Sequence, residues 1–503
     1  ENTLPLKNVK KVSLFGMDSA NPVYGGTGSG SIKTETAITA KAGFENAGYE
    51  VNPTLWDFYN GFVKDKKYLR TSAAIEGNAG VQYKVNEAPQ SEYTSTVKNS
   101  YQDYKDCAIV FIGRSGGEGS DLSYSTDENQ NGYLALSQNE ADLLQSIQDG
   151  NVFDKIIIVI NSSNSMELAW MENYSKIKGA IWVGSVGTTG MNAVAKTISG
   201  EYNPSGRLVD TYAADSKSAP AIQNFGNFEY TNASELSDLN EPYFTSTQYT
   251  GKNYIVYQEG IYIGYRYYET RYEDAVYSRG NAGNYRYQDE VTYPFGYGLS
   301  YTTFAYSDYS VSKKNNEYIV SVSVTNTGKV DGKTPIQVYA QNPYTDYDKE
   351  NGIEKSSIEL VGYTKTDTLK AGEKKTYEIK VDEESLRTYD SKGAKTYIQD
   401  GGDYYFAIGD NAHDALNNIL AAKGKTVSDG MTSAGNANLT KKFTLSQDFK
   451  KFSKDSNTGK EITNQFDNAD VNYYFSDVKY LTRSDWTGTF PTHLSLTATE
   501  KLK

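Results

Sequence analysis

Glu118 stands between glycines in GRSGGEGSDL, directly after the apolar run CAIVFIG, with Asp121 three residues on. A carboxylate on a glycine-rich loop at the end of a buried strand can be carried into a partly dehydrated cleft, where its pKa rises and it can donate a proton. On spacing alone the alternative, an ordinary solvated charge, stays open. A second glycine-rich loop, YGGTGSGS, begins at Tyr24 a few residues after the apolar run KVSLFG. Gly26, Thr27, Gly28 and Ser29 in it suit either a tight turn that lets backbone approach closely or direct contact with a ligand. The glycines read G-x-G-x-G rather than G-x-G-x-x-G, and Lys33-Thr34 lacks the preceding glycine of a phosphate-binding loop, so nucleotide binding is not expected. Asp18 is a turn cap or a partner for ligand hydroxyls, and Tyr24 offers a ring for stacking, though with 44 tyrosines in the chain a single ring is an unspecific signal.

Carboxylates must carry any acid-base work. The only histidines, His413 and His493, lie far apart without Cys or His neighbours, which argues against a zinc site or a Ser-His triad. The single cysteine, Cys107, sits inside an apolar run and reads as a buried small hydrophobe. No metal and no cofactor are expected. Lys+Arg 50 against Asp+Glu 63 gives a net charge of −13, so no basic face is available for nucleic acid. A mean hydropathy of −0.63 and the lack of a long apolar run argue against a membrane-spanning helix.

The elements that must hold these loops are legible as short apolar runs: KVSLFG from Lys11, CAIVFIG from Cys107, KIIIVIN from Lys155 and GAIWVGS from Gly179. Unbroken apolar runs of this length are the pattern of parallel strands buried on both faces. Between them lie amphipathic stretches, notably Ser137 to Asp149, where a Ser N-cap is followed three residues on by Glu140. An α/β layered domain follows, and a glycine-rich turn at the carboxyl end of its strands is where an open sheet binds ligands. From about Tyr306 the texture changes to period-two alternation in EYIVSVSVTNTG, PIQVYAQNP, KKTYEIKVD and GDYYFAIGD, the pattern of a β-sandwich. From His413 to Lys503 a small-residue helix-like start leads through a Gly/Ser/Asn-rich stretch to a helix-like TATEKLK, read as a long connection.

Together, YGGTGSGS, IGRSGGEGSDL, IIIVINSSNSMELAWM, YNPSGRLVDTY, EGIYIGYRYYET and YPFGYGLSYTTF, in that order, resemble glycoside hydrolase family 3 of the β-glucosidase type. The resemblance implies an (α/β)6-type sandwich domain over residues 1–304 and a fibronectin type III-like β-sandwich over 305–411. Residues 412–503 would then be a connecting segment leading to a (β/α)8 barrel that is missing here, as in the subgroup with permuted domain order. Members are retaining enzymes whose aspartate nucleophile lies on the barrel, and Glu118 matches the position of their acid/base glutamate. Asp18, Tyr24, Gly26, Thr27, Gly28, Ser29 and Asp121 would line the substrate side, with Asp121 orienting its loop.

The expected function is therefore one half of a retaining β-glucosidase-like active site, acting on a β-glucoside or oligosaccharide with the barrel joined in cis or in trans. Asp485, in Ser484-Asp485-Trp486, matches a frequent family nucleophile triplet but follows a polar stretch instead of a buried strand, so it is not expected to be the nucleophile. Arg207 and Arg266 are expected to be structural. Asn161, Asn232 and Asn438 head N-x-S/T triplets, which carry weight only if the source glycosylates secreted proteins. The rival reading is a non-catalytic carbohydrate-binding or cell-surface scaffold protein. The chain starts at Glu1 without Met, from which removal of an upstream segment is expected. A bacterial source, an extracellular or cell-surface location rather than a cytoplasmic one, and homo-oligomerisation through an exposed patch complete the expectations.

Overall fold

A computed structural model describes residues 3–71, 83–85, 87–118, 122, 132–226, 228–236, 238–239 and 249–502. The chain forms two compact units, Glu1–Pro204 with Tyr212–Ala214, and Ser205–Thr211 with Asp215–Lys503.

In the first unit, β1 (Lys11–Phe15), β2 (Glu50–Val51), β3 (Cys107–Arg114), β4 (Ile156–Ser162) and β5 (Ile177–Trp182) make one sheet in the order β2-β1-β3-β4-β5. Every pairing is parallel. All residues of β3 and β4 are buried, as their unbroken apolar runs require of central strands covered on both faces. Around the sheet lie α1 (Met17–Ala20), α2 (Ala40–Asn46), α3 (Pro53–Lys64), α4 (Ser95–Ser100), α5 (Gln138–Asp149) and α6 (Gly190–Ser199). Phe44 of α2 and Met191, Val194 and Ile198 of α6 close over Val12, Leu14, Phe111 and Val159 of the sheet. The capping box expected at Ser137 is present: its hydroxyl accepts from the Glu140 amide, and the Glu140 carboxylate accepts from the Ser137 amide at 2.8 Å. Among the described residues the parallel strands form this one open sheet, and no (β/α)8 barrel is present.

The second unit contains α7 (Tyr265–Val276) and, after it, two larger antiparallel sheets. The first contains β6 (Phe304–Lys314), β7 (Glu317–Asn326) and β10 (Lys374–Asp382) in the order β6-β7-β10. The second contains β8 (Pro335–Gln341), β9 (Glu359–Lys365), β11 (Thr388–Asp390) and β12 (Thr396–Gly409) in the order β9-β8-β12-β11. Val320, Val322 and Val324 of β7 meet Ile336, Val338, Phe406 and Ile408 in the core between them. Each alternating run named above is thus a strand; Lys374–Asp382 alternates between a buried and an exposed face, whereas Pro335–Gln341 and the end of β12 are buried on both.

The stretch from His413 onward is less of a connection than its composition implies. Its helix-like start forms α8 (Ala412–Ala422), and Thr440–Phe452 forms β13, paired antiparallel along β12 from Ala407↔Thr440 to Tyr397↔Phe452. Phe443 and Leu445 of β13 pack against the sandwich core. Flanking lysines hide this alternation in the sequence. TATEKLK, by contrast, forms no helix among the described residues; Leu496 and Ala498 are buried, and the Asn232 side chain accepts from the Ala498 amide at 2.8 Å. Tertiary pairing overrides helix propensity there. By compactness residues 215–304 group with the second unit, in which α7 buries Glu273 and Asp274 against Arg483 from the tail and Glu269 against His413 of α8.

Candidate active site

The strand order reverses direction between β1 and β3, and ligands of open α/β sheets bind outside the carboxyl ends of the strands at such a switch point. Both glycine-rich loops leave the sheet there. They join through a parallel bridge between Thr27 and Gly117. The Thr27 hydroxyl donates to the Glu118 carbonyl at 3.4 Å and lies 3.1 Å from the Tyr83 hydroxyl, which in turn donates to the Gly117 carbonyl at 3.2 Å. The Ser29 amide donates to Oε2 of Glu118 at 2.7 Å. Gly26, Thr27, Gly28, Ser29 and Glu118, expected to act together, are thus brought together.

Gly28 is required by two independent constraints. Its φ is +62°, and a Cβ there would stand 2.7 Å from both Cβ and Oε2 of Glu118. Gly28→Ala is therefore expected to push Glu118 off the Ser29 amide. Hydrogen bonding from Ser29 holds the Glu118 carboxyl below its ordinary pKa, so the variant's Glu118 should titrate higher, as followed by carboxyl-carbon NMR. An unchanged titration would refute this account.

Glu118 is exposed, and its pKa is lowered, opposite to the rise expected from dehydration. The physical reason is that Glu118 is exposed among the described residues, while hydrogen bonds from Ser29 favour its charged form. Asp18 is turned inward: it is buried, accepts from the Gly113 amide at 2.7 Å and pairs with Arg70. It thereby ties α1 to the carboxyl end of β3, beneath the loop that carries Glu118. Tyr24 is half-buried, its hydroxyl donating to the Ile38 carbonyl at 3.3 Å, and burial raises its pKa. Asp121 lies outside the described residues.

Several positioning residues carry no motif. Arg114, the last residue of β3, is fully buried. Its guanidinium forms two 2.8 Å bonds to Glu140 and donates to the carbonyls of Gly113 (2.8 Å), Tyr133 (2.6 Å) and Ala135 (2.7 Å). The Tyr133 hydroxyl receives the Ser115 amide at 2.9 Å, so the start of the Glu118 loop is held from beneath. The Asn161 side chain bonds the Val23 amide (2.6 Å), the Val23 carbonyl (3.0 Å) and the Gly184 carbonyl (2.5 Å), joining the loops that follow β1 and β5. Asn161 is wholly buried, so its N-x-S triplet is no glycosylation site. A charged residue closing an otherwise apolar run was the available sequence signal for Arg114; Asn161 had only the position after KIIIVI.

Glu87 is buried and accepts from the Met17 and Ala88 amides at 2.7 and 2.9 Å. Burial raises its pKa to about 8 against these amides and Arg114, with Glu140 adding to the rise. From its ordinary value of 4.5 up to about pH 8 the folded chain keeps a proton that the unfolded chain has lost, so stability falls as pH rises through that window. The slope is about 1.4 kcal/mol per pH unit for one proton. Glu87→Gln should flatten it, as measured by urea unfolding at pH 5 to 8; an identical slope in the variant would show that Glu87 is not the group responsible.

Asp485 lies in the second unit, where its carboxylate accepts from the Asn281 side chain at 2.7 Å and the Gly488 amide at 3.0 Å. The neighbouring Trp486 is fully buried and donates to Asp274 at 2.9 Å. The triplet anchors a turn. Arg207 donates to the Gly206 carbonyl at 2.9 Å and the Thr334 hydroxyl at 3.1 Å, and Arg266 lies 3.5 Å from Glu359.

Residues 1–265 match the glycosyl hydrolase family 3 C-terminal domain, and residues 334–412 match the fibronectin type III-like domain. A β-glucosidase of Ruminococcus albus is 28% identical over 417 residues, covering 82% of this chain and 38% of that protein. β-Glucosidase A of Butyrivibrio fibrisolvens is 26% identical over 452 residues, covering 82% and 48% respectively. The crystal structure of a β-glucosidase from Paenibacillus barengoltzii superposes with a TM-score of 0.65 at 27% identity, over 82% of this chain and 40% of that one. The chain thus spans less than half the length of these relatives. With the family's domain matched over more than half of its residues, on a sheet that places Glu118 and the glycine-rich loop at one switch point, the chain belongs to glycosyl hydrolase family 3.

Proposed function

We propose that this chain supplies the acid/base half of a retaining β-glucosidase-type active site, with Glu118 as proton donor and acceptor and the nucleophile on a barrel outside the chain. The observation that carries the reading is an exposed carboxylate at the switch point, held by the Ser29 amide at 2.7 Å on a loop anchored by buried Arg114. A retaining glycosidase needs two carboxyl groups about 5–5.5 Å apart, one attacking the anomeric carbon and one protonating the leaving oxygen. Glu118 donates its proton to the glycosidic oxygen, then removes a proton from the water that releases the sugar. A carboxylate set low by Ser29 suits the second step. For the first, the charge of the approaching nucleophile raises the pKa of Glu118 until ionisation of the pair is no longer favoured.

The barrel is also a fitting cover for an apolar stretch of the second unit. Ile255, Tyr257, Ile261 and Ile263 are exposed, while Tyr254, Val256, Gln258, Glu259 and Tyr262 beside them are buried.

The test is hydrolysis of an aryl β-glucoside by the chain alone and with a barrel domain of the family supplied separately or fused. Activity is expected only with the barrel. Activity of the chain alone would overturn the division of roles, and silence in both would favour a carbohydrate-binding scaffold.

A further inference from the structure

The outer strand of the sheet, β5, ends in Trp182. Lys178, Ala180 and Trp182 are its exposed residues, and Trp182 is 37% exposed where Trp56 and Trp486 are buried. The ring is not loose, because its Nε1 donates to the Ser162 carbonyl of β4 at 2.7 Å. Orientation is set before any ligand arrives, which removes part of the ordering cost of binding. Gly184, with φ +55°, follows; a Cβ there would stand 3.5 Å from the indole, so no side chain at that position covers it. The exposed hydroxyls of Ser163 and Ser185 lie 2.8 Å apart at the ends of β4 and β5, and each keeps capacity for a further hydrogen bond. A fixed aromatic face beside paired hydroxyls matches the two surfaces of a pyranose, its C–H face and its hydroxyl rim.

This group shares the carboxyl edge of the sheet with Glu118. The Ser162 hydroxyl donates to the Asn164 carbonyl at 2.9 Å, and the Asn164 side chain abuts Gly116, where a Cβ would meet it at 2.8 Å. Gly116 is two residues from Glu118.

We propose that Trp182, with Ser163 and Ser185, is a saccharide platform that takes a leaving-group sugar of a β-linked oligosaccharide. The inference rests on the glycosidase reading of the Glu118 site and adds that the substrate is oligosaccharide rather than a small aryl or alkyl glucoside.

The test is titration of the 503-residue chain with cellotetraose, followed by tryptophan fluorescence and calorimetry, beside Trp182→Ala, Trp182→Phe and Glu118→Gln. Saturable binding is expected in the wild type, in Trp182→Phe and in Glu118→Gln, with Trp182→Ala at least about tenfold weaker, or ~1.4 kcal/mol. Absence of saturable binding in the wild type, or equal affinity in Trp182→Ala, overturns the platform. Because the platform is read by binding and the acid/base role by hydrolysis, failure of one reading and failure of the other are separately visible.

Discussion

Glu118→Gln, in a polypeptide that also carries the barrel, should lower kcat/KM for oligosaccharides and alkyl glucosides by about 100- to 10,000-fold, the range of general acid catalysis. Glutamine keeps the size of the side chain and an oxygen for the Ser29 amide, so the loop should persist while the transferable proton is lost. Activated aryl glucosides should keep most of their kcat/KM, because a good leaving group departs without protonation. Their kcat should fall instead, since the glycosyl-enzyme would wait for a base to activate water. Added azide, which needs no base, should restore turnover as a glycosyl azide. Equal loss of kcat/KM on both substrate classes would remove Glu118 from the acid role and reopen the question of which carboxylate serves.

Arg114→Met should cost about 3–5 kcal/mol, because it leaves the Glu140 carboxylate buried without its partner. Glu140 is wholly enclosed, and the two 2.8 Å bonds from Arg114 are its fork-to-fork contact. Arg114→Lys should recover little, since a single ammonium cannot also reach the carbonyls of Gly113, Tyr133 and Ala135. Pairing Arg114→Met with Glu140→Met should be much milder than the single change, because no isolated charge then remains. Urea denaturation of the three variants checks this. A single variant within about 1 kcal/mol of wild type would mean that water reaches the site and that the pair does not anchor the Glu118 loop.

These effects divide the residues by how visible they were. Glu118 was legible because its flanking glycines and the strand before it are all local. The same holds for Ser137 and Glu140 as a capping box and for the Val-rich alternation of β7. Arg114 was legible only as an oddity at the end of an apolar run, because its partners lie as far away as Glu140. β13 escaped notice because Lys441, Lys442, Lys450 and Lys451 mask the alternation around Phe443 and Leu445. Asp18 looked like a ligand for hydroxyls because its position beside the glycine loop is local information. Its inward turn depends on Gly113 and Arg70, which are not.

What the sequence by itself determined was the kind of the central strands, the capped helix at Ser137 and the alternating strands of the sandwich, together with the resemblance to a family, since hydrophobic period, caps and glycine spacing act over a few residues. Tertiary structure alone decided that β1 lies beside β3. Strand order is a property of how crossovers pack, and no local pattern encodes it. That adjacency puts Ser29 within 2.7 Å of Glu118 across 89 residues of chain and turns two unremarkable loops into one site. It also decided that the pKa of Glu118 moves down rather than up, because a carboxyl group's pKa follows from which donors surround it and how much water remains, and both are set only when distant segments meet.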